Sequence, residues 1–203
     1  MSDSDPAADL DGLRQAIASG DPAARLRAMG CLRPYPAEDC EPLLLACLED
    51  TTVLVRSMAC SGLGYKPTAA GTRALRRMLD DEPDPNVRAE AANALARHGG
   101  EQASEPLLAL YRRDAHWLVR RSIVAALADE RDVPAGVLAE LADLALADDD
   151  VHLQLGGVEL LNRLRHDPDR GAAARARLAD LRGSDDHRLA AAALESLLPQ
   201  DPC

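Results

Sequence analysis

Residues 84–99 read DPNVRAEAANALARHG, and the same pattern recurs along the chain. An Asp-Pro pair opens the stretch, Arg88 follows, and Ala91 and Leu95 come three and seven residues later. Arg25, Arg56, Arg88 and Arg120 lie 31, 32 and 32 residues apart, and each has a leucine seven residues on: Leu32, Leu63, Leu95 and Leu127. Three residues after each arginine stands Ala28, Ala59, Ala91 or Ile123. The frame continues through Gln154, Gly157 and Leu161, then more loosely through His187, Ala190 and Leu194. A fixed period in the thirties means one small unit stacked many times, with each copy burying its apolar face only against its neighbours.

Each period reads as helix, short turn, helix. The first helices are expected near 9–19, 41–49, 72–80, 104–112, 136–147 and 172–182, the second near 22–32, 53–63, 85–97, 117–128, 151–164 and 186–197. Apolar residues spaced by three and four, such as Leu10, Leu13 and Ile17 or Leu138, Leu141 and Leu144, fall on one helix face. Asp21-Pro22 and Asp84-Pro85 place a capping side chain before a proline at the first helical position. Gly64, Gly99-Gly100 and Gly171 suit left-handed helix exits or turns, and HDPDR at 166–170 reads as a turn. The pattern predicts an all-α, right-handed α-solenoid of about six two-helix repeats (roughly 9–35, 41–66, 72–100, 104–130, 136–167 and 172–198) in one domain, 1–203.

Composition agrees with thin stacked helices. The chain has 203 residues, no Phe and only 2% aromatics, so its core must close on alanine and leucine rather than on large rings. A formal net charge of -11 argues against nucleic acid, whose binding neutralises phosphates with a basic surface. No apolar run approaches the length of a transmembrane helix. The start, MSDSDPAADL, is acidic and polar, unlike a secretory or transit peptide. Cysteines at 31, 40, 47, 60 and 203 show no CxxC pair, and Cys31, Cys47 and Cys60 sit among apolar residues, as small buried hydrophobes of a reducing cytoplasm do.

The charge is uneven. Residues 1–50 carry net -6, residues 51–128 net +3, and residues 129–203 net -8. A mildly basic middle between acidic flanks suggests steering of an acidic ligand into one register.

An arginine at the start of every second helix can bond carbonyls and acids of the preceding turn and tie unit to unit. Arg25, Arg56, Arg88 and Arg120 are therefore read as a structural ladder. Positions two, five and nine after each ladder residue fall opposite the buried leucine, where a partner would be met. They are Met58, Ser61 and Tyr65; Glu90, Asn93 and Arg97; Ser122, Ala125 and Asp129; Gly156, Glu159 and Arg163. A second cluster holds Tyr111, Arg112, Arg113, His116, Trp117, Arg120 and Arg121. Trp117, the only tryptophan, is either a binding anchor or a plug between repeats. The expected partner-binding residues are thus Tyr65, Glu90, Asn93, Arg97, His116, Trp117, Arg121 and Glu159. His98, His116, His152, His166 and His187 are scattered without metal-ligand spacing, and no HExxH, GxSxG, Walker or dinucleotide motif occurs, so neither metal nor cofactor is expected.

The units resemble HEAT repeats. More particularly, VRSMACSGLGYKP (55–67), NVRAEAANALARHG (86–99), RDAHWLVRRSIVAAL (113–127) and DDHRLAAAALESL (185–197) resemble the HEAT-like repeats of the cyanobacterial phycobilin-lyase family, closest to its small NblB-type branch of phycobilisome degradation. The resemblance implies a cytoplasmic protein, peripheral at the thylakoid through phycobilisomes, that docks on phycobiliprotein subunits or another acidic protein. It implies help in bilin removal or attachment with transient bilin contact, Glu90 and Glu159 being the carboxylates available for acid–base work. A HEAT adaptor with an unrelated partner, or a true bilin lyase, are the alternative readings.

Overall fold

The computed structural model describes residues 6–198, and every regular element among them is an α-helix. Cys203 and the acidic residues 1–5 lie outside the described residues. The helices gather into two compact units, the first ending at His98 and the second beginning at Gly99.

The first unit holds α1 (Pro6–Ala18), α2 (Pro22–Gly30), α3 (Ala37–Cys47), α4 (Val53–Tyr65), α5 (Ala69–Asp81) and α6 (Pro85–Ala96). Odd helices pack on odd, α1 on α3 and α3 on α5, while α2 packs on α4 and α4 on α6, so two helical layers face each other. The ladder leucines Leu32, Leu63 and Leu95 point into the seam between them, with Leu44, Leu48, Leu75 and Leu79, all 3% exposed or less. Each such leucine contributes about 1.5–3 kcal/mol by leaving water.

The second unit holds α7 (Gly100–Arg113), α8 (Trp117–Asp129), α9 (Ala135–Leu146), α10 (Val151–Leu164), α11 (Gly171–Leu181) and α12 (His187–Leu197). Here α7 packs on α9, and the even layer runs from α8 to α10 to α12. Leu107, Leu127, Leu141, Leu153 and Leu178 form its core.

Three details depart from the sequence reading. Helices α3 and α7 start at Ala37 and Gly100, not near 41 and 104, because Pro42 and Pro106 lie inside them rather than marking their first turns. An interior proline costs roughly 3 kcal/mol, and the fully buried Leu44 and Leu107 behind each show what holds the helix regardless. Of the glycines, Gly99 alone among the described residues has positive φ, 73°. Gly64 instead lies buried inside α4 and Gly171 opens α11. Finally, the last repeat is displaced by three residues from the expected frame. Its cap is Asp186, whose carboxylate accepts from the Arg188 N–H at 2.8 Å. In the other repeats the cap stands four residues before the ladder position, which puts that position here at Ala190. Ala193 is accordingly fully buried and Leu194 is 48% exposed.

Candidate protein-binding surface

The ladder is a rail at the loop end of the repeats, built from three positions per repeat. Six residues before the ladder residue stands an acceptor, four before it the N-cap. Arg25 donates to Ser19 O at 2.7 Å, Arg56 to Asp50 O at 2.8 Å, Arg88 to Glu82 O at 3.0 Å, Arg120 to Asp114 O at 3.5 Å and Gln154 to Asp148 O at 2.7 Å. The acids at the acceptor position do a second job. Asp50, Glu82, Asp114 and Asp148 each accept, through the side chain, from the N–H two residues on. Three of them also link consecutive repeats: Arg25 pairs with Asp50, Arg56 with Glu82 through two 2.8 Å bonds, and Arg120 Nε with Asp148 at 3.2 Å.

The electrostatics follow. Burial pushes the Asp50 carboxyl up, but the Thr52 N–H and Arg25 outweigh it and hold it below the usual range. Glu82 behaves alike: burial raises it, while Arg56 and the Asp84 N–H together lower it further. The Glu82 hydrogen bond in turn holds Arg56 above its ordinary value. These arginines are committed to structure.

On the even-helix layer of the first unit the folded chain joins three of the expected residues. Tyr65, at the end of α4, is 69% exposed. The Arg97 guanidinium, at the end of α6, lies over its ring at 4.5 Å from the centroid, a cation–π contact. Glu90 Oε1 stands 3.7 Å from Arg97 Nη1. That is an ion pair but too long for a hydrogen bond, and both atoms are buried without a hydrogen-bond partner. Asn93 is half-buried between them on α6. Gly64 makes the arrangement possible: a Cβ there would lie 2.7 Å from Ala94 Cα and 2.8 Å from Arg97 Nη1. Behind the site His98 ties three helices, with Nδ1 2.8 Å from Thr72 Oγ1 and Nε2 3.1 Å from Leu63 O.

In the second unit the expected residues divide. Trp117, first in α8, is 49% exposed, and its ring lies 6.1 Å from that of His116 at an interplanar angle of 23°. His116 is occupied as the N-cap, accepting from the Leu118 N–H at 3.3 Å. Arg121 is exposed. Tyr111 does not join this surface, being 5% exposed with its hydroxyl unpartnered; burial pushes that hydroxyl up to about 12. Arg163, expected to face a ligand, is bound to Leu127 O and Ala128 O at 2.7 and 2.9 Å and so caps the end of α8. Glu159 is exposed on α10 and shares a groove with α12.

The basic middle is less free than its count suggests. Arg77 pairs with Glu49, Arg112 with Glu140 and Arg120 with Asp148, so acids of the flanking segments answer cations of the middle. Arg97 lies on its tyrosine with Glu90 beside it, and Arg73 and Arg121 are exposed.

Cys40, Cys47 and Cys60 are buried, and burial pushes the Cys60 thiol up to about 12. Cys31 is exposed, contrary to the expectation, because α2 ends at Gly30 and leaves it in the following turn. Among the described residues no group of three or more His, Cys, Asp or Glu is placed to hold a metal ion, and no helix is long and apolar enough to cross a membrane.

The HEAT-repeat profile matches residues 10–96 and 41–128. No curated protein sequence matches. Among solved structures, a designed armadillo repeat protein in complex with the peptide (KR)4 superposes with a TM-score of 0.61 at 20% identity, over 94% of this chain and 100% of that one. The Escherichia coli protein YibA gives 0.63 at 14% identity, over 97% and 76%. The complex of CpcE and CpcF of phycocyanin lyase from Nostoc sp. PCC7120 gives 0.58 at 19% identity, over 93% and 75%. At these identities the likeness speaks to fold.

Proposed function

Because the chain belongs to the HEAT-repeat family, we propose that it works as a protein-binding repeat whose even-helix face docks an acidic partner, a phycobiliprotein subunit, and assists removal or attachment of its bilin. The observation that carries the docking site is the Arg97 guanidinium stacked on the exposed Tyr65 ring, with Glu90 beside it at 3.7 Å. A carboxylate arriving there meets a cation already oriented by stacking and by Glu90, so little side-chain freedom is lost on binding. The chain's net charge does not forbid this, since exposed charges are screened beyond about 8 Å at physiological ionic strength. The choice of phycobiliprotein rests on the motif resemblance along nearly the whole chain. Phycobiliproteins are generally acidic and bilins carry two propionates, so both offer carboxylates. The same reading places the protein in the cytoplasm, at the thylakoid periphery through phycobilisomes.

Mixing the protein with a bilin-bearing phycocyanin subunit tests it. The expected result is a complex by size-exclusion chromatography with the bilin absorbance retained. Loss or transfer of chromophore by this protein alone would make it a lyase. Absence of a complex would dismiss the phycobiliprotein and leave a HEAT adaptor for another partner.

A further inference from the structure

We propose that the groove between α10 and α12 receives an arginine side chain from an extended segment of a partner protein. Its floor is apolar, formed by Leu155, Val158 and Ala192, and Glu159 and Glu195 also line it. Asn162 and Ser196 complete the lining, and Asn162 Oδ1 is buried with no hydrogen-bond partner. Neither Glu159 nor Glu195 forms an ion pair among the described residues. The volume is about 280 Å³, at the lower edge of the ~300–1,000 Å³ typical of small-molecule pockets and suited to a side chain.

An apolar floor with acids beside it and a buried acceptor is what an arginine matches. Its aliphatic stem lies along apolar surface while its head stays among polar groups. Its five donors, held in a rigid fork, can serve two carboxylates together, which an ammonium on a flexible stem does less well. Two further features favour a peptide over free arginine. The groove is open to solvent, and Leu194 and Leu198 are 48% and 54% exposed along and just beyond α12, offering contacts to flanking residues. The segment 129–203 carries net -8, which draws a cationic chain toward this unit. This subsite differs from the Tyr65–Arg97 site in unit, charge and residues, so each can fail without the other.

The test is fluorescence anisotropy with a labelled peptide of alternating arginine and leucine, and with the same peptide carrying neutral citrulline in place of arginine. Glu159→Gln with Glu195→Gln removes the groove's charges. Asp180→Asn with Asp185→Asn removes as much charge from exposed positions elsewhere in the same unit. Ala192→Trp fills the groove without changing charge. The expected result is about tenfold or greater weakening for the glutamine pair and for Ala192→Trp, as for loss of an interface anchor. The asparagine pair should change affinity by about twofold or less, and the citrulline peptide should not bind. Equal weakening by both charge-removing pairs would reduce the interaction to nonspecific attraction and overturn the proposal, as would wild-type binding by a Ala192→Trp variant of native helical content. If that variant does not fold, the contrast between the two pairs decides.

Discussion

Replacing Arg56 by Met should cost the protein about 3–5 kcal/mol, the range for removing one partner of a buried pair. The side chains are 13% and 3% exposed for Arg56 and Glu82, and two 2.8 Å bonds join them. A third bond to Asp50 O, also 2.8 Å, goes with the guanidinium. Met is of similar reach, so packing is largely kept and the loss is that of the pair. What stays behind is a buried carboxylate with the Asp84 N–H, 2.9 Å away, as its remaining hydrogen bond. The pH dependence gives the sign. Glu82 sits below its ordinary pKa in the folded protein, so the stability it contributes is present above the unfolded value near 4.3 and is lost as pH falls through the folded one. Urea unfolding followed by circular dichroism at pH 7 and at pH 3 should therefore show a larger penalty for Arg56→Met at pH 7. The double variant Arg56→Met with Glu82→Leu should recover much of it, since an apolar pair removes the stranded charge. A penalty below about 1 kcal/mol, or one as large in acid as at neutrality, would refute the reasoning.

Three further outcomes follow from the packing and the exposed surface. Leu95→Ala should cost about 2–5 kcal/mol by urea unfolding, because Leu95 is fully buried, and hydrogen exchange should show the loosening chiefly in adjacent repeats. Gly64→Ala should cost about 1–3 kcal/mol, since its methyl would meet Ala94 Cα at 2.7 Å; it should weaken partner binding as well by moving Arg97, which a calorimetric titration checks. Trp117→Ala should leave the association rate alone and speed dissociation in surface plasmon resonance, since loss of an aromatic anchor acts mainly on the off-rate.

The repeat was legible because identical packing demands leave identical residues. The first four second helices each need a buried leucine at one place and a guanidinium at another, and these recur at 31 and 32 residues. The acids at Asp50, Glu82, Asp114 and Asp148 recur as regularly, six residues before Arg56, Arg88, Arg120 and Gln154, yet read in isolation as surface charges. They are legible only when a cap and a carbonyl acceptor are sought together. In the last repeat that position is Ser184, and the cap at Asp186 alone sets the frame at Ala190 instead of His187. Pro42 and Pro106 lie inside α3 and α7, where a proline is costly and packing alone keeps the helix. At the candidate surface, two- and nine-residue offsets brought Tyr65, Glu90 and Arg97 to one layer. The cation–π contact depends on Gly64 letting α4 and α6 approach, which spacing alone does not encode. Arg163 holds the ninth position too, but its guanidinium finds the open carbonyls at the end of α8 and is consumed there.

The most direct test of the docking claim is a titration of phycocyanin with wild-type protein and with Arg97→Glu at low and high salt. Arg97 is the cation held over the exposed Tyr65 ring. Wild-type affinity should fall as salt rises, and the charge reversal should weaken binding about tenfold or more at low salt in a variant that circular dichroism shows to keep its native helical content. Binding that is indifferent both to salt and to Arg97→Glu would contradict the account.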